Sequence, residues 1–391
     1  MLPQMYIPVS TKSFIRNVVT NTGGIYIHVP FCQKRCIYCD FYSTTYGLEW
    51  KRLYVSALKR EMQLRRLEID PSRVPSLYIG GGTPSQLPVS LLLEMFQAIG
   101  GCFTFAEDAE ITIEVNPDDV TQSLIDALHQ TPVNRISMGV QTFSDSLLRL
   151  LNRRHTSSQA LEAVQLFRRA GYENISIDLI YGLPNQSLES WKHDVDVAVN
   201  LGVPHLSAYA LSYEEGTALH KMQEEGLVEE APDELSWQMY GYLTDKTAAA
   251  GIEHYEISNF ALPGKRARHN SSYWDGSPYL GLGPGAHSYD GNHVRRSNNT
   301  SLKEYVQATA DVPHQTETLT PQERYDETVM TRLRTVSGLP LDILTDEQRS
   351  HCLQMAEQHL LNGNLVREDN VLRLSRKGIF VSNSVISDLM Y

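Results

Sequence analysis

Three cysteines lie close together near the front of the chain, at Cys32, Cys36 and Cys39. Their C-x3-C-x2-C spacing puts three thiols on one short loop. Thiolates are soft ligands that favour iron–sulfur clusters or zinc. A four-iron cluster needs four ligands, so three cysteines leave one iron open to a substrate or cofactor. A structural zinc knuckle is the alternative, and it needs a fourth nearby ligand, for which His28 is the nearest candidate.

Polar and small residues further along the chain point to the ligand of that open iron. The glycines at 80–82 let a ligand approach the backbone closely. Glu114 can accept hydrogen bonds from an amine, and Gln141 offers both a donor and an acceptor. Arg153 can pair with a carboxylate in bidentate geometry, and Asp178 can bind ribose hydroxyls. Each residue taken singly could be an ordinary polar group at a strand end, but together with the cysteines they indicate S-adenosylmethionine.

These residues follow strands that alternate with helices between Gly24 and Leu211. Such alternation predicts a parallel sheet with the helices outside it, and the polar residues then share the ligand-binding edge of that sheet. Six strand–helix units fall short of a closed eight-unit barrel. The fold class is therefore α/β, a partial (β/α)6 TIM-type barrel with an open slot. The strands are predicted at 24–29, 76–80, 110–117, 135–140, 174–180 and 205–210, and the helices at 48–67, 85–99, 121–129, 145–151, 157–170 and 188–201.

The pattern changes after the sixth strand, and four parts of the chain can be separated. We predict an N-terminal tail at 1–23, the partial barrel at 24–215, a region that completes the barrel at 216–320, and a C-terminal α+β domain at 321–391. The third part contains a helix at 232–250, an extended segment at 253–260 and a turn-rich stretch at 263–292. The last part has helices around a hairpin at 365–374, which resembles a winged helix.

Composition and charge exclude some classes of partner and location. The 391-residue chain has a net charge of −12, which argues against binding nucleic acid through its phosphates. This charge favours a structural or lid role for the C-terminal domain over DNA binding. No apolar run approaches the roughly 18 residues of a transmembrane helix, although a peripheral membrane contact stays compatible with the sequence.

The chain's ends and remaining cysteines bear on the compartment. Residues 1–23 have no apolar core of a signal peptide, and we expect a plain tail, with a mitochondrial transit peptide as the alternative. The remaining cysteines, Cys102 and Cys352, are far apart and do not suggest a disulfide framework. A reducing cytoplasm is therefore the expected location, and a homodimer is compatible with the chain.

Several segments resemble a known family. The cysteine motif, with Tyr38 before the third cysteine, resembles that of radical S-adenosylmethionine enzymes. From about Gly24 to the C-terminus the chain resembles more closely the oxygen-independent coproporphyrinogen III oxidase group. The segments that carry this resemblance are YIHVPFC at 26–32, GGGTPS at 80–85, EVNP at 114–117, GVQ at 139–141, NR at 152–153 and IDLIYGLP at 177–184.

This resemblance implies cofactors and the residues that hold them. It implies a [4Fe-4S] cluster on the three cysteines and an S-adenosylmethionine that is reductively cleaved to a 5′-deoxyadenosyl radical, with the cofactors supplying the difficult chemistry. The residues implied to line the S-adenosylmethionine site are Tyr26, Tyr38, Gly81, Gly82, Thr83, Glu114, Gln141, Arg153 and Asp178.

Two features favour one branch of this family. The oxidases have a further cysteine two residues after the third, where this chain has Phe41. The segment His269-Asn270-Ser-Ser-Tyr273-Trp274 resembles the H-N-x-x-Y-W signature of the HemW branch of haem chaperones. That resemblance implies that the chain binds haem and passes it to client haemoproteins. His269 would ligate or hydrogen-bond haem, and the two aromatic residues would stack on the macrocycle.

Alternatives stay open at this stage. His269 and Trp274 could only fix a turn between domains, and His287 is a second candidate for the haem ligand. Oxidative decarboxylation of coproporphyrinogen III is the competing activity, and radical chemistry on haem itself would use the same cofactors.

Overall fold

The computed structural model describes residues 22–391. The first 21 residues, and so most of the predicted N-terminal tail, lie outside the described residues. The six predicted strand–helix units are present. Their strands are β1 Gly24–Val29, β2 Val74–Gly81, β3 Phe105–Val115, β4 Arg135–Gln141, β5 Ile175–Tyr181 and β6 His205–Ala210, and their helices are α1 Leu48–Arg65, α2 Val89–Cys102, α3 Gln122–Leu128, α4 Asp145–Leu150, α5 Ser157–Arg169 and α6 Leu188–Asn200.

The segment after β6 extends the sheet at both edges. Its helices are α7 Ala218–Glu224, α8 Asp233–Ala249, α9 Arg268–Trp274 and α10 Leu302–Gln307. Its strands are β7 Glu253–Glu256, β8 Asn259–Ala261, β9 Tyr279–Leu282, β10 His287–Tyr289, β11 Val294–Ser297 and β12 Gln315–Thr318. The residues at 253–260, expected to be one extended segment, instead belong to the hairpin of β7 and β8.

The described strands of this part form one sheet in the order β12-β11-β10-β9-β1-β2-β3-β4-β5-β6-β8-β7. The pairs from β9 through β1 to β6 are parallel, and the outer strands pair antiparallel. The partial parallel barrel is thus confirmed, with β9 added beside β1. The carboxyl ends of the parallel strands meet at one edge, as the positions of the polar residues require.

Helix α2 begins later than predicted, and helix α9 was not predicted, both for identifiable reasons. Helix α2 begins at Val89 and not at Ser85, because Leu87 precedes Pro88 and is held extended with ψ of 133°. Helix α9 was not predicted, since its residues are weak helix formers. It forms because the Glu110 carboxylate of β3 accepts the backbone N–H groups of Arg268 and His269, both at 3.0 Å. A remote side chain therefore caps this helix.

The C-terminal part has its own core and packs against the sheet. Its elements are α11 Pro321–Leu333, β13 Leu339–Pro340, α12 Asp346–Leu361, β14 Leu365–Glu368, β15 Val371–Leu374, α13 Arg376–Phe380 and α14 Ser382–Leu389. The strands form a three-stranded antiparallel sheet beside the helices, in keeping with the winged-helix-like expectation. Contacts such as that between Arg295 and Glu327, 2.8 Å apart, join α11 to the edge of the large sheet. No helix within residues 22–391 has an apolar stretch long enough to cross a membrane.

Candidate functional site

A cavity of about 480 Å³ lies at the carboxyl ends of the parallel strands, and we call it the cofactor cavity. It contains most of the residues that the sequence singled out, although they are spread over about 240 positions from Cys32 to Asn270. The predicted residues that line it are Cys32, Cys36, Tyr38, Cys39, Gly81, Gly82, Thr83, Glu114, Gln141, Arg153, Asp178 and Asn270.

Strand alternation explains which side chains face this cavity. On β4, Arg135, Ser137 and Gly139 line it, whereas Ile136 and Met138 are fully buried in the core between sheet and helices. Successive side chains on a strand point to opposite faces. Sequence reasoning did not assign a role to Arg135 or Ser137. The period-two polar positions of an otherwise apolar strand are the signal that could have found them.

The cysteine loop is held by backbone contacts to its own far end. The N–H of Cys32 donates to the carbonyl of Thr44 at 2.9 Å, and Phe31 forms a β-bridge with Thr44. The sulfur of Cys32 lies 3.6 Å from the hydroxyl of Thr83, and Arg153 Nη1 lies 3.3 Å from the sulfur of Cys36. Side chains from two other segments therefore contact two of the three cysteine sulfurs.

The donor set fits a cluster better than a zinc ion. His28, the expected fourth zinc ligand, is buried, and both of its ring nitrogens have partners. Nδ1 lies 3.1 Å from the hydroxyl of Tyr26, and Nε2 lies 2.8 Å from the carbonyl of Tyr42. Among residues 22–391, no three histidine, cysteine or carboxylate side chains are grouped to hold one metal ion. A cubane cluster does not need that grouping, since each thiolate binds a different iron.

Two partly buried carboxylates, Glu114 and Asp178, give the cofactor cavity its electrostatic character. Burial raises the pKa of Glu114 to about 7, although the hydroxyl of Tyr78 donates to Oε1 at 2.7 Å and opposes this shift. Burial also raises the pKa of Asp178 to about 6. The nearby Arg135 guanidinium favours the ionised form of both groups. A cationic ligand such as an ammonium or a sulfonium would complement these carboxylates.

Arg153 is held by the protein more firmly than the sequence suggested. Nη2 donates to Asn116 Oδ1 and to the carbonyl of Gly139, both at 2.5 Å, while Nη1 contacts Cys36. Of the nitrogens of this guanidinium, only Nε is buried without a partner in the part of the chain that the structure describes. A buried unpaired N–H is costly unless a ligand accepts its hydrogen bond. One ligand oxygen can therefore bind at Nε, whereas the predicted bidentate pairing would require Arg153 to release Asn116 or Gly139.

The glycines at 80–82 are required by the protein's own packing, which is a second reason for glycine besides the predicted close approach of a ligand. A Cβ on Gly80 would lie 2.8 Å from Glu114 Oε1, and one on Gly82 would lie 2.9 Å from backbone atoms of Phe31. Gly81 has a φ of +107° and would meet the ring of His28. Any side chain in this turn would therefore displace β1 or a carboxylate of the cavity.

Tyr26 and His269 do not reach the cofactor cavity. The ring of Tyr26 stacks on Tyr78 with centroids 6.2 Å apart. His269 is fully buried, and its ring nitrogens lie 2.9 Å from the hydroxyl of Ser76 and 2.9 Å from that of Tyr273. Its ring also stacks on that of Tyr78, with ring centroids 5.5 Å apart. In this conformation His269 packs against β2 and has no ring nitrogen free to bind a ligand.

A second cavity of about 730 Å³ lies between the edge of the large sheet and α11, and we call it the aromatic cavity. Tyr273 and Trp274 of the predicted haem motif line it, and Asp40 and Phe41 line both cavities, which therefore adjoin. Its wall also includes the polar and aromatic residues Tyr26, Tyr42, Tyr279, His287, Tyr289, Arg295, Arg324, Glu327 and Arg332.

Comparison with known proteins finds two family matches and relatives that are similar over most of this chain. Residues 26–198 match the radical SAM superfamily, and residues 319–381 match the HemN C-terminal domain. The heme chaperone HemW of Lactococcus lactis is 34% identical over 375 residues, which are 94% of this chain and 97% of that protein. The HemW of Synechocystis is 35% identical over 82% of this chain and 81% of its own length.

The chain belongs to the HemW family.

A solved structure shows the fold that this HemW-family chain shares. Coproporphyrinogen III oxidase (HemN) from Escherichia coli superposes with a TM-score of 0.82 and covers 95% of this chain and 90% of that one. Its sequence identity is 22%, so the similarity concerns the fold alone. Family membership also confirms the branch that the sequence indicated through Phe41 and the segment at 269–274.

Proposed function

We propose that this chain is a haem chaperone, which binds haem and transfers it to client haemoproteins, and that it carries a [4Fe-4S] cluster and S-adenosylmethionine. The observation that carries this proposal is the match to proteins named heme chaperone HemW over 94% of the chain. Because the match is nearly end to end, it includes both the cysteine loop and the segment with the haem motif.

The residues of the cofactor cavity support the proposed cofactors. Cys32, Cys36 and Cys39 would hold the cluster, since they line one wall of the cavity and their sulfurs are only half-buried. A bound cluster supplies electrons for cleavage of S-adenosylmethionine. The Nε–H group of Arg153 would donate to the methionyl carboxylate, and Glu114 would bind the ammonium group. Asp178 and Gln141 would bind the nucleoside.

The proposed partners are haem and unidentified client haemoproteins, and the proposed location is the cytoplasm. The five cysteines form no disulfide bond. Free thiols beside a solvent-accessible cluster suit a reducing compartment.

Haem transfer is tested with the full-length chain, reconstituted anaerobically with iron and sulfide. We expect a saturable change in the Soret band on titration with haemin, near one haem per chain, followed by transfer of haem to apomyoglobin. Free haemin at the same concentration is the control for spontaneous transfer. Absence of saturable haemin binding would contradict the proposal.

The oxidase activity is excluded or established by a separate assay. The same preparation is incubated with coproporphyrinogen III, a reductant and S-adenosylmethionine. We expect no decarboxylated product above the reaction without S-adenosylmethionine, because Phe41 occupies the position of the oxidases' further cysteine. Product formation above that control would overturn the assignment to a haem carrier.

A further inference from the structure

His287 is the histidine of the aromatic cavity that is open to a ligand. Its side chain is exposed at the cavity wall, and neither ring nitrogen forms a hydrogen bond to a residue within 22–391. His28, the other histidine of this wall, is buried with both nitrogens paired. An unpaired imidazole beside an enclosed space is the arrangement that a metal ligand requires.

The strand that carries His287 is rigidly placed. On β10, His287 and Tyr289 face the cavity, and Ser288 between them faces the other way, as strand alternation dictates. The buried hydroxyl of Ser288 accepts from Arg65 Nη2 at 2.9 Å and from the N–H of Gly281 at 2.9 Å. Arg65 is in turn paired with the buried Glu61 at 2.7 Å. A network behind the strand therefore fixes the position of the imidazole without using it.

The walls around His287 are flat and aromatic. Tyr279 packs edge-on against Tyr273 with ring centroids 4.7 Å apart, and Tyr26 and Tyr289 lie on the same wall. The indole nitrogen of Trp274 is buried and has no hydrogen-bond partner among the described residues. A large planar ligand with polar edges suits such a wall, since it can cover aromatic faces and accept a hydrogen bond from the indole.

The rim of the cavity contains cations that could meet acidic groups of the ligand. Arg324 forms no ion pair with a described carboxylate, and Arg332 donates only to the backbone carbonyl of Asp275 at 2.8 Å. Arg295 is already paired with Glu327 at 2.8 Å. Two arginines of α11 thus remain available for two carboxylates. The acidic side chains on this wall are Asp40, Asp275 and Glu327.

We propose that haem binds in the aromatic cavity, with His287 as a ligand to its iron and with Arg324 and Arg332 as partners of its propionates. This inference rests on the proposed haem-carrying function and identifies its site. The iron ligand is thereby assigned to a histidine outside the H-N-x-x-Y-W segment and not to His269, whose ring nitrogens contact Ser76 and Tyr273. Tyr273 and Trp274 keep their predicted place beside the macrocycle.

The test compares His287→Ala with His293→Ala in the full-length chain. His293 lies on the same sheet edge but does not line the cavity. We expect the His287 variant to lose the imidazole-ligated haem spectrum and to bind haemin about tenfold more weakly or worse, the scale of one lost specific contact. Free imidazole should restore the spectrum of this variant, and the His293 variant should behave as the wild type does.

A second variant probes the rim independently of iron ligation. Arg324→Ala should weaken haemin binding by about threefold, as expected for an exposed charge pair, with no change in the ligation spectrum. Far-ultraviolet circular dichroism and the melting temperature check that each variant is folded.

The outcomes separate this inference from the function on which it rests. Failure of the wild type to bind haemin would contradict the chaperone function itself. Wild-type binding with an unchanged spectrum and affinity in His287→Ala would overturn only the ligand assignment. Loss of ligation in a folded His269→Ala, with His287→Ala unaffected, would return the ligand to the motif.

Discussion

The cofactor cavity and the aromatic cavity adjoin at Asp40 and Phe41, but the chain builds them in different ways. The cofactor cavity collects side chains from the ends of successive parallel strands, each within a short recognisable segment. The aromatic cavity combines the loop residues 40–42, strands β1, β9, β10 and β11, and helices α9 and α11, which come from distant parts of the sequence. The cofactor cavity is formed within the repeated strand–helix units, whereas the aromatic cavity forms where the C-terminal domain packs against the sheet.

The two cavities also differ in the state of their polar groups. In the cofactor cavity, Glu114 and Asp178 are partly buried carboxylates with raised pKa values. In the aromatic cavity, His287 and Arg324 have no strong side-chain partner among residues 22–391 and lie on a largely aromatic wall. The cofactor cavity is therefore suited to a charged, polar ligand, and the aromatic cavity to a flat ligand with charged edges.

The largest expected effect is the loss of the cluster. Cys36→Ala removes one of three proposed ligands, so the broad visible absorbance of the reconstituted cluster should disappear. Haemin binding should be retained, because the proposed haem contacts His287, Arg324 and Arg332 lie outside the cysteine loop, although the two cavities share Asp40 and Phe41. Cys102→Ala, at the end of α2, is the matched control and should keep both. A cluster that survives in the Cys36 variant would refute the ligand assignment. Loss of haemin binding together with the cluster would show that the two cavities act as one site.

The next effect concerns Arg153. Arg153→Ala should weaken S-adenosylmethionine binding by roughly 1.5–3 kcal/mol, the range for a hydrogen bond to a charged group. Isothermal titration under anaerobic conditions measures this, with Arg149→Ala on the exposed face of α4 as the control. An unchanged affinity would count against the role of Nε. The affinity for haemin should be the same in Arg153→Ala and in the wild type. A weaker affinity for haemin in this variant would contradict the independence of the two cavities.

The smallest effect is a pH dependence that only one cavity should show. The pKa of Glu114 is raised to about 7, so this carboxyl group is ionised above that pH and protonated below it. Binding of the ligand's ammonium group needs the ionised form. Affinity for S-adenosylmethionine should therefore fall as pH falls, by up to about tenfold per unit below the pKa.

Glu114→Gln provides the control for this titration. The variant should bind more weakly at about pH 8 and should lose the difference between about pH 6 and about pH 8, apart from the ligand's own titration. A wild-type profile parallel to that of the variant would exclude Glu114 as the ammonium partner. A matching pH profile for haemin would indicate that the two cavities respond to one group.

Sequence patterns predicted the parallel sheet and most of the cofactor cavity, because strand alternation and strand ends depend on neighbouring residues. Helix α9 escaped prediction, since its cap is Glu110, more than 150 positions away. The engagement of His269 by Ser76 could not be predicted for the same reason. The three glycines were recognised for ligand approach, but their packing against Phe31, His28 and Glu114 could not be predicted.

The sequence by itself determined the family, the cysteine loop and the edge of the sheet where its ligands gather. These follow from local spacing, because a strand directs its side chains with period two and a tight loop brings its thiols together. Only the tertiary structure decided which histidine has free nitrogens. Burial and hydrogen bonding of His269 and His287 depend on what packs against them, and those partners are remote in sequence. A motif indicates which residues can bind, and packing leaves only some of them available.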